Sequence, residues 1–292
     1  MNKLGVVYIS VPCFPKQFQS LLENIFFVQL FRSSARKDIG NNIFQVVIDE
    51  LKYLESVGIA INVDGINYHL YFSLGLIIGD NLGLNSILGF VESFTANRCC
   101  RICKVDRAKM KSQLTEDSSL FRNIENYSAD TSSCDSSSSG IKSPSVWNQL
   151  RNFHVIRNFS VDIMHDLLEG VCKYDLEIIL KNYIYEAKLF SLEALNQMIL
   201  AFNHKARCNL PIIKEEHLKN GNIRLSASET LYFVTLFGIM VGHLVPSNNI
   251  YWRLYLSLRS ILDIVLSSKF DMDSTLLLNN LISEHHQILC SL

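Results

Sequence analysis

Hydrophobic residues along this chain follow two periods, and the change between them falls near its middle. Residues 4–10 (LGVVYIS) and 24–30 (NIFFVQL) are short runs rich in β-branched and aromatic side chains that end near turn formers, which predicts strands. Over residues 42–57 the spacing switches. Ile43, Val46, Val47, Leu51 and Leu54 recur at helical intervals, Asp49, Glu50, Lys52 and Glu55 fill the opposite face, and Gly58 marks the stop. A second β stretch is predicted from Ile59 through the apolar run 68–78, ending at Gly79-Asp80, with a short helix following over 82–91.

Beyond this point the pattern loosens and then turns helical. Residues 128–145 (SADTSSCDSSSSGIKSPS) are serine-rich and lack apolar periodicity, which predicts a flexible connector or exposed loop. Residues 161–185, 191–204, 226–241, 250–266 and 275–289 each place apolar side chains three and four apart, separated by Gly, Pro or Asn. The expected fold class is therefore α/β followed by mainly α. We divide it into an α/β core over 1–95, a cysteine-containing segment over 96–127, a Ser-rich linker over 128–148 and a helical region over 149–292. There is no internal repeat.

Composition narrows the class. With 48% apolar residues in 292, the chain has the means to bury a large core. Its 27 basic and 28 acidic residues leave no overall charge to attract a polyanion, so any DNA contact must come from local patches. Eight cysteines are too few and too irregular for a disulfide scaffold, and no basic-then-apolar leader opens the sequence. The expectation is an intracellular protein, nuclear or cytoplasmic. No apolar run reaches the roughly 20 residues needed to span a bilayer, so no membrane partner is expected.

Three places could carry chemistry. Asp80 falls where a strand is predicted to end, the position at which α/β folds present reactive groups; the alternative is a turn with Asp80 as a helix N-cap. Cys100 and Cys103 form a C-x-x-C pair with Cys99 adjacent, a spacing that lets two thiolates hold two corners of a tetrahedral zinc site. Inert buried cysteines or a redox pair are the alternatives. Asp162, His165 and Glu169 fall near one face of a predicted helix. There His165 could complete a zinc site and Glu169 could bind a hard cation, or the acids could simply favour a helix N-terminus. Glu229 reads as a capping-box acid with Ser226. His285 and His286 read as surface residues, and His154 and His204 remain possible further zinc ligands.

Taken together, KLGVVYISVP, Gly79-Asp80, a C-x-x-C beginning 20 residues after that Asp, and VDIMHDLLEG resemble DNA transposases of the CACTA-like (DDE) group. The stretch Gly242-His243-Leu244-Val245-Pro246, with Trp252 and a leucine-rich helix after it, fits the same group, and the likeness covers nearly the whole chain. The resemblance implies a partial RNase H-like core with a zinc C-x-x-C segment and a helical insertion. It further implies two Asp and one Glu holding two divalent cations, Mg2+ or Mn2+, for in-line displacement at phosphorus. On this resemblance Asp80 matches the second acid, Glu169 is the first choice and Glu229 the second for the third acid, and Cys100, Cys103 and His165 are the zinc ligands. DNA at transposon ends and a second copy of the chain are the implied partners. One departure stands out. The family's first Asp lies just before a segment like KLGVVYIS, whereas this sequence starts at Met1; Asp49 lies on a helical pattern and Asp64 precedes a turn glycine. The expectation is thus a truncated, inactive piece that also lacks the end-recognition domain.

Overall fold

The two periods correspond to two folded units. The computed structural model describes residues 4–133, 135–203 and 209–292. The first unit comprises Met1–Met110 with Ser118–Ser160, and the second Lys111–Asp117 with Val161–Leu292. The order is mixed α/β and then helical, as the periodicity predicts.

In the first unit, strands β1 (Leu4–Ser10) and β2 (Ile25–Arg32) pair antiparallel from Leu4↔Arg32 to Ser10↔Ile25, with a bulge between Val7 and Tyr8. Val7, Ile9 and Phe31 turn toward the core. Strands β3 (Ile59–Val63) and β4 (Ile66–Leu70) form a second antiparallel ribbon. Asp64 and Gly65 close it at φ of 52° and 82°, the positive pair that lets a two-residue turn follow strand twist. Helix α1 (Gln45–Ser56) buries Val47, Ile48 and Leu51, and α2 (Asn81–Leu88) buries Leu84 and Leu88. These meet Phe44, Phe90, Tyr127, Trp147 and Phe153 in one core.

Two expectations for this unit are corrected. Residues 71–80 do not form a buried strand running up to Asp80. They carry no regular secondary structure and lie outside both sheets, each of two strands among the described residues. Leu74 and Ile77 pack on the core, while the Gly75 and Ile77 carbonyls accept from Asn158 Nδ2 at 3.0 Å and Ser160 Oγ at 2.7 Å. The apolar run thus packs Leu74 and Ile77 on the core without joining a strand. Nor is the Ser-rich stretch a loose connector. Helix α3 (Ile124–Ser133) anchors it through buried Tyr127, Asp135 caps the short helix Ser136–Ser139, and buried Ile141 bridges to Phe90.

The second unit is built on a continuous helix, α4, made of Met164–Val171, Cys172–Lys181 and Asn182–Glu186. Its first and last segments are wound wider than an α-helix, with hydrogen bonds reaching five residues back. Helices α5 (Leu192–Asn203), α6 (Ala227–Val241), α7 (Ile250–Val265) and α8 (Met272–Ser291) complete it. The core joins Leu176, Ile179, Leu180 and Tyr183 of α4 to Phe233, Val234 and Phe237 of α6 and to Leu254, Leu258 and Leu262 of α7. Tyr255 ties α7 to α6, donating to the Val234 carbonyl at 2.9 Å and accepting from Gly238 N–H at 2.8 Å. Among the described residues one helical stretch, Ala227–Leu244, is long and apolar enough to cross a membrane by length and composition. Its Phe233, Val234, Phe237 and Val241 have no exposed surface.

His285, expected at the surface, is instead buried. It meets the fully buried Asp175 at 2.6 Å, joining α8 to α4. Burial raises the Asp175 carboxyl against the opposing pull of the His285 bond. Removing one partner strands the other in the core, so Asp175→Ala is expected to cost about 3–5 kcal/mol by urea unfolding. An apolar replacement of the pair, Asp175→Leu with His285→Phe, is expected to regain most of that loss. In the first unit Gly89 lies at φ 90°, and a Cβ there would come 2.4 Å from the Ser143 carbonyl oxygen. Gly89→Ala is expected to destabilise by more than about 1 kcal/mol in the same measurement.

Candidate metal and catalytic residues

The thiol loop is shaped by backbone pairing around it. Cys103 bridges to Phe121, Lys104 N–H donates to Leu120 O at 2.7 Å, and Arg122 N–H donates to Ile102 O at 3.0 Å. This short pairing leaves residues 100–103 in a tight turn. Within the turn the Cys100 sulfur accepts the N–H groups of Ile102 and Cys103, each at 3.3 Å. Two amide dipoles aimed at one sulfur stabilise its thiolate form. The Cys100 thiol is accordingly lowered to about 6, chiefly by the hydrogen bond from the Cys103 thiol and against the opposing effect of burial. Cys103, as the donor in that bond, is raised, and Cys99 is raised by burial.

Two buried guanidinium groups hold the loop in place. Arg122 donates to the Cys100 carbonyl at 3.1 and 3.2 Å and to Ser139 O at 2.7 Å, and stands 3.6 Å from Asp130. Arg101 donates to Ser160 O at 2.8 Å and to Asn81 Oδ1 at 2.8 Å. Asn85, one helical turn on, donates to Val91 O at 2.9 Å and Cys99 O at 3.3 Å. Helix α2 and the cysteine pair are therefore parts of one polar cluster. Nothing local in the sequence marks Arg122, Asn81 or Asn85, and Arg101 is marked only by its place inside the C-x-x-C.

Asp80 sits at the head of α2. Its carboxylate accepts Gly83 N–H at 2.6 Å, and the side chain is exposed. That is the N-cap geometry weighed as the alternative to a catalytic role, and it puts Asp80 on the helix whose Asn81 and Asn85 hold the thiol loop. His154 has both ring nitrogens engaged locally, with Ile156 N–H at 3.2 Å and Asn148 Nδ2 at 3.3 Å.

The other candidates belong to the second unit. Asp162 caps the first turn of α4: it accepts His165 N–H at 3.1 Å and meets His165 Nδ1 at 2.5 Å. Burial would raise the Asp162 carboxyl, but the His165 amide and imidazole together hold it below its ordinary value. Glu169 lies on the next turn, 3.9 Å from Lys173. Gly170, at the same level, leaves room for the His165 carbonyl, which would stand 2.9 Å from a Cβ there. Glu229 closes a reciprocal capping box with Ser226, as its spacing indicated. His286 faces the Leu114 carbonyl at 3.4 Å, and His204 lies outside the described residues.

The donor set can be weighed against zinc on this geometry. Cys100 and Cys103 supply two sulfurs at the right spacing, with backbone donors already turned to one of them, so they fit two corners of a tetrahedral site. Among the described residues no group of three or more His, Cys, Asp or Glu side chains is gathered to hold a metal ion. No family model, no curated protein and no solved structure matches this chain.

The cap and metal roles of Asp80 separate by substitution. Asp80→Ala is expected to lower stability by about 1 kcal/mol, whereas Asp80→Asn, an equally good cap, leaves the thermal midpoint close to the original. Equal losses in both variants would point to a role for the charge itself.

Proposed function

We propose that this chain derives from the catalytic region of a CACTA-like DNA transposase, and that zinc binding at Cys100 and Cys103, rather than DNA strand cleavage, is the property it carries. The observation that bears most weight is the thiol turn, with two backbone N–H groups directed at the Cys100 sulfur and buried arginines fixing the loop. On this reading the α/β unit is part of an RNase H-like core and the helical unit its insertion. The protein works inside the cell, in the nucleus or cytoplasm, and DNA is the ancestral partner. Zinc when bound supplies cross-linking of the loop, and coordination positions beyond the two sulfurs are filled by further donors.

The acids favour a non-catalytic reading. Asp80 is engaged as an N-cap and Glu229 in a capping box, and Glu169 stands beside Lys173. A two-metal nuclease needs carboxylates free to bridge Mg2+ or Mn2+. The alternative that fits these engagements is a zinc-stabilised module that binds DNA or protein without chemistry.

Elemental analysis of the purified chain is the test. About one zinc per chain is expected, reduced to a trace in Cys100→Ser and Cys103→Ser, with the thermal midpoint falling in parallel. Incubation with supercoiled plasmid in Mg2+ or Mn2+ is expected to give no nicking above buffer. Zinc absent from the original protein would refute the metal assignment. Nicking abolished by Asp80→Asn would refute the non-catalytic one.

A further inference from the structure

Asn220-Gly221 is the one Asn-Gly step in the sequence, and the fold leaves it open to water. It follows the short helix Glu215–Lys219, with Asn220 and Gly221 both exposed and Gly221 in the left-handed region at φ 64°. The Gly221 N–H makes only a long bond, to Leu218 O at 3.4 Å. On either side the chain is fixed, because Leu218 and Ile223 are buried in the helical core. The step also faces α4: a Cβ on Gly221 would come 2.8 Å from Glu177 Oε1, the oxygen that meets Lys181 Nζ at 2.6 Å. In such a pair the backbone nitrogen after the asparagine closes a five-membered ring on the asparagine Cγ, and glycine puts no Cβ in its way.

We propose that Asn220 is a modification site at which the folded protein deamidates itself. The Gly221 nitrogen attacks Asn220 Cγ: the N–Cγ bond forms, the Cγ–Nδ2 bond breaks, and ammonia leaves with the proton that the nitrogen gives up. Water then opens the cyclic imide at either carbonyl, leaving aspartate, or isoaspartate with the main chain rerouted through the side chain. Water is the sole co-reactant and nothing is oxidised or reduced. Ring closure requires ψ of Asn220 to swing away from −1°, which gives up the long Gly221 bond and the Asn222 N–H to His217 O bond of 2.9 Å. Losing about one net hydrogen bond slows the folded chain roughly tenfold at most against the unfolded one. Asp64-Gly65 is held more firmly, since paired strands flank it and Gly65 N–H donates to Asn62 Oδ1 at 3.1 Å. At Asn220 the product puts a new carboxylate at a helix C-terminus and beside Glu177, where both the helix carbonyls and the like charge oppose it. Isoaspartate also lengthens the main chain between two residues that must both stay in the core. The site lies in the second unit and is independent of the zinc reading.

Peptide mapping by mass spectrometry tests this on the purified chain held for weeks at neutral pH and physiological temperature, with a parallel sample in urea. The Asn220 peptide is expected to gain one mass unit and to split into aspartyl and isoaspartyl forms, the second labelled by an isoaspartyl methyltransferase. Its rate in the folded sample should fall within about tenfold of the rate in urea, and the thermal midpoint should drop as conversion proceeds. Asn220→Gln, which would have to close a six-membered ring, is expected to stop the conversion and to hold its midpoint through the same incubation. An Asn220 that converts in urea but stays intact in the folded chain overturns the proposal, as does conversion that falls first on another asparagine.

Discussion

Two buried arginines set the geometry of the cysteine turn in the first unit. Arg101 and Arg122 have few places to put their N–H groups once they leave water, and they place them on carbonyls and amides that come from separate parts of the chain. Arg101 joins the thiol loop to α2 and to Ser160, and Arg122 joins it to the end of the Ser-rich segment at Ser139. Charge-assisted hydrogen bonds of this kind are stronger than neutral ones and fix direction as well as distance. The consequence is a cysteine turn held from both sides by buried side chains.

The second unit uses a different device. Its helices are held by aromatic and aliphatic packing around Tyr183, Phe233 and Phe237, with one buried His–Asp hydrogen bond set into it. Asp175 with His285 is costly to bury and gives direction in return: a leucine pair would pack at several rotations of α8, whereas an imidazole and a carboxylate meet in one. The wide winding at the start of α4 coincides with the Asp162–His165 pair and with Gly170, where a Cβ would crowd the His165 carbonyl. A wide turn of this sort is held only by local compensation, here the Asp162 cap.

Much of this was legible in the order of residues. Helices close to those observed follow from apolar spacing over residues 161–289, and the Ser226–Glu229 box from its own three-residue step. What escaped was whatever depends on partners remote in sequence. The apolar run 71–80 reads as a strand because its side chains want burial, yet strand formation needs a neighbour's backbone, about which local pattern is silent. Residues 128–145 read as a linker because serines dominate, while their fold depends on Tyr127 and Ile141, two apolar anchors reaching into the core. His285 reads as surface because histidine usually is, and only Asp175, 110 residues away, makes its burial tolerable. At the candidate site the cysteine pair was visible in advance, but the arginines that hold its loop were not, because their contacts exist only after the chain has closed on itself.

Zinc-edge X-ray absorption on the purified chain would examine the thiol turn itself rather than its consequences. Coordination by Cys100 and Cys103 requires a shell of two sulfurs at about 2.3 Å, with lighter donors at about 2.0–2.1 Å. A spectrum holding nitrogen and oxygen donors alone, with no sulfur in the first shell, would show that the turn does not bind the metal and would remove the reading built on it.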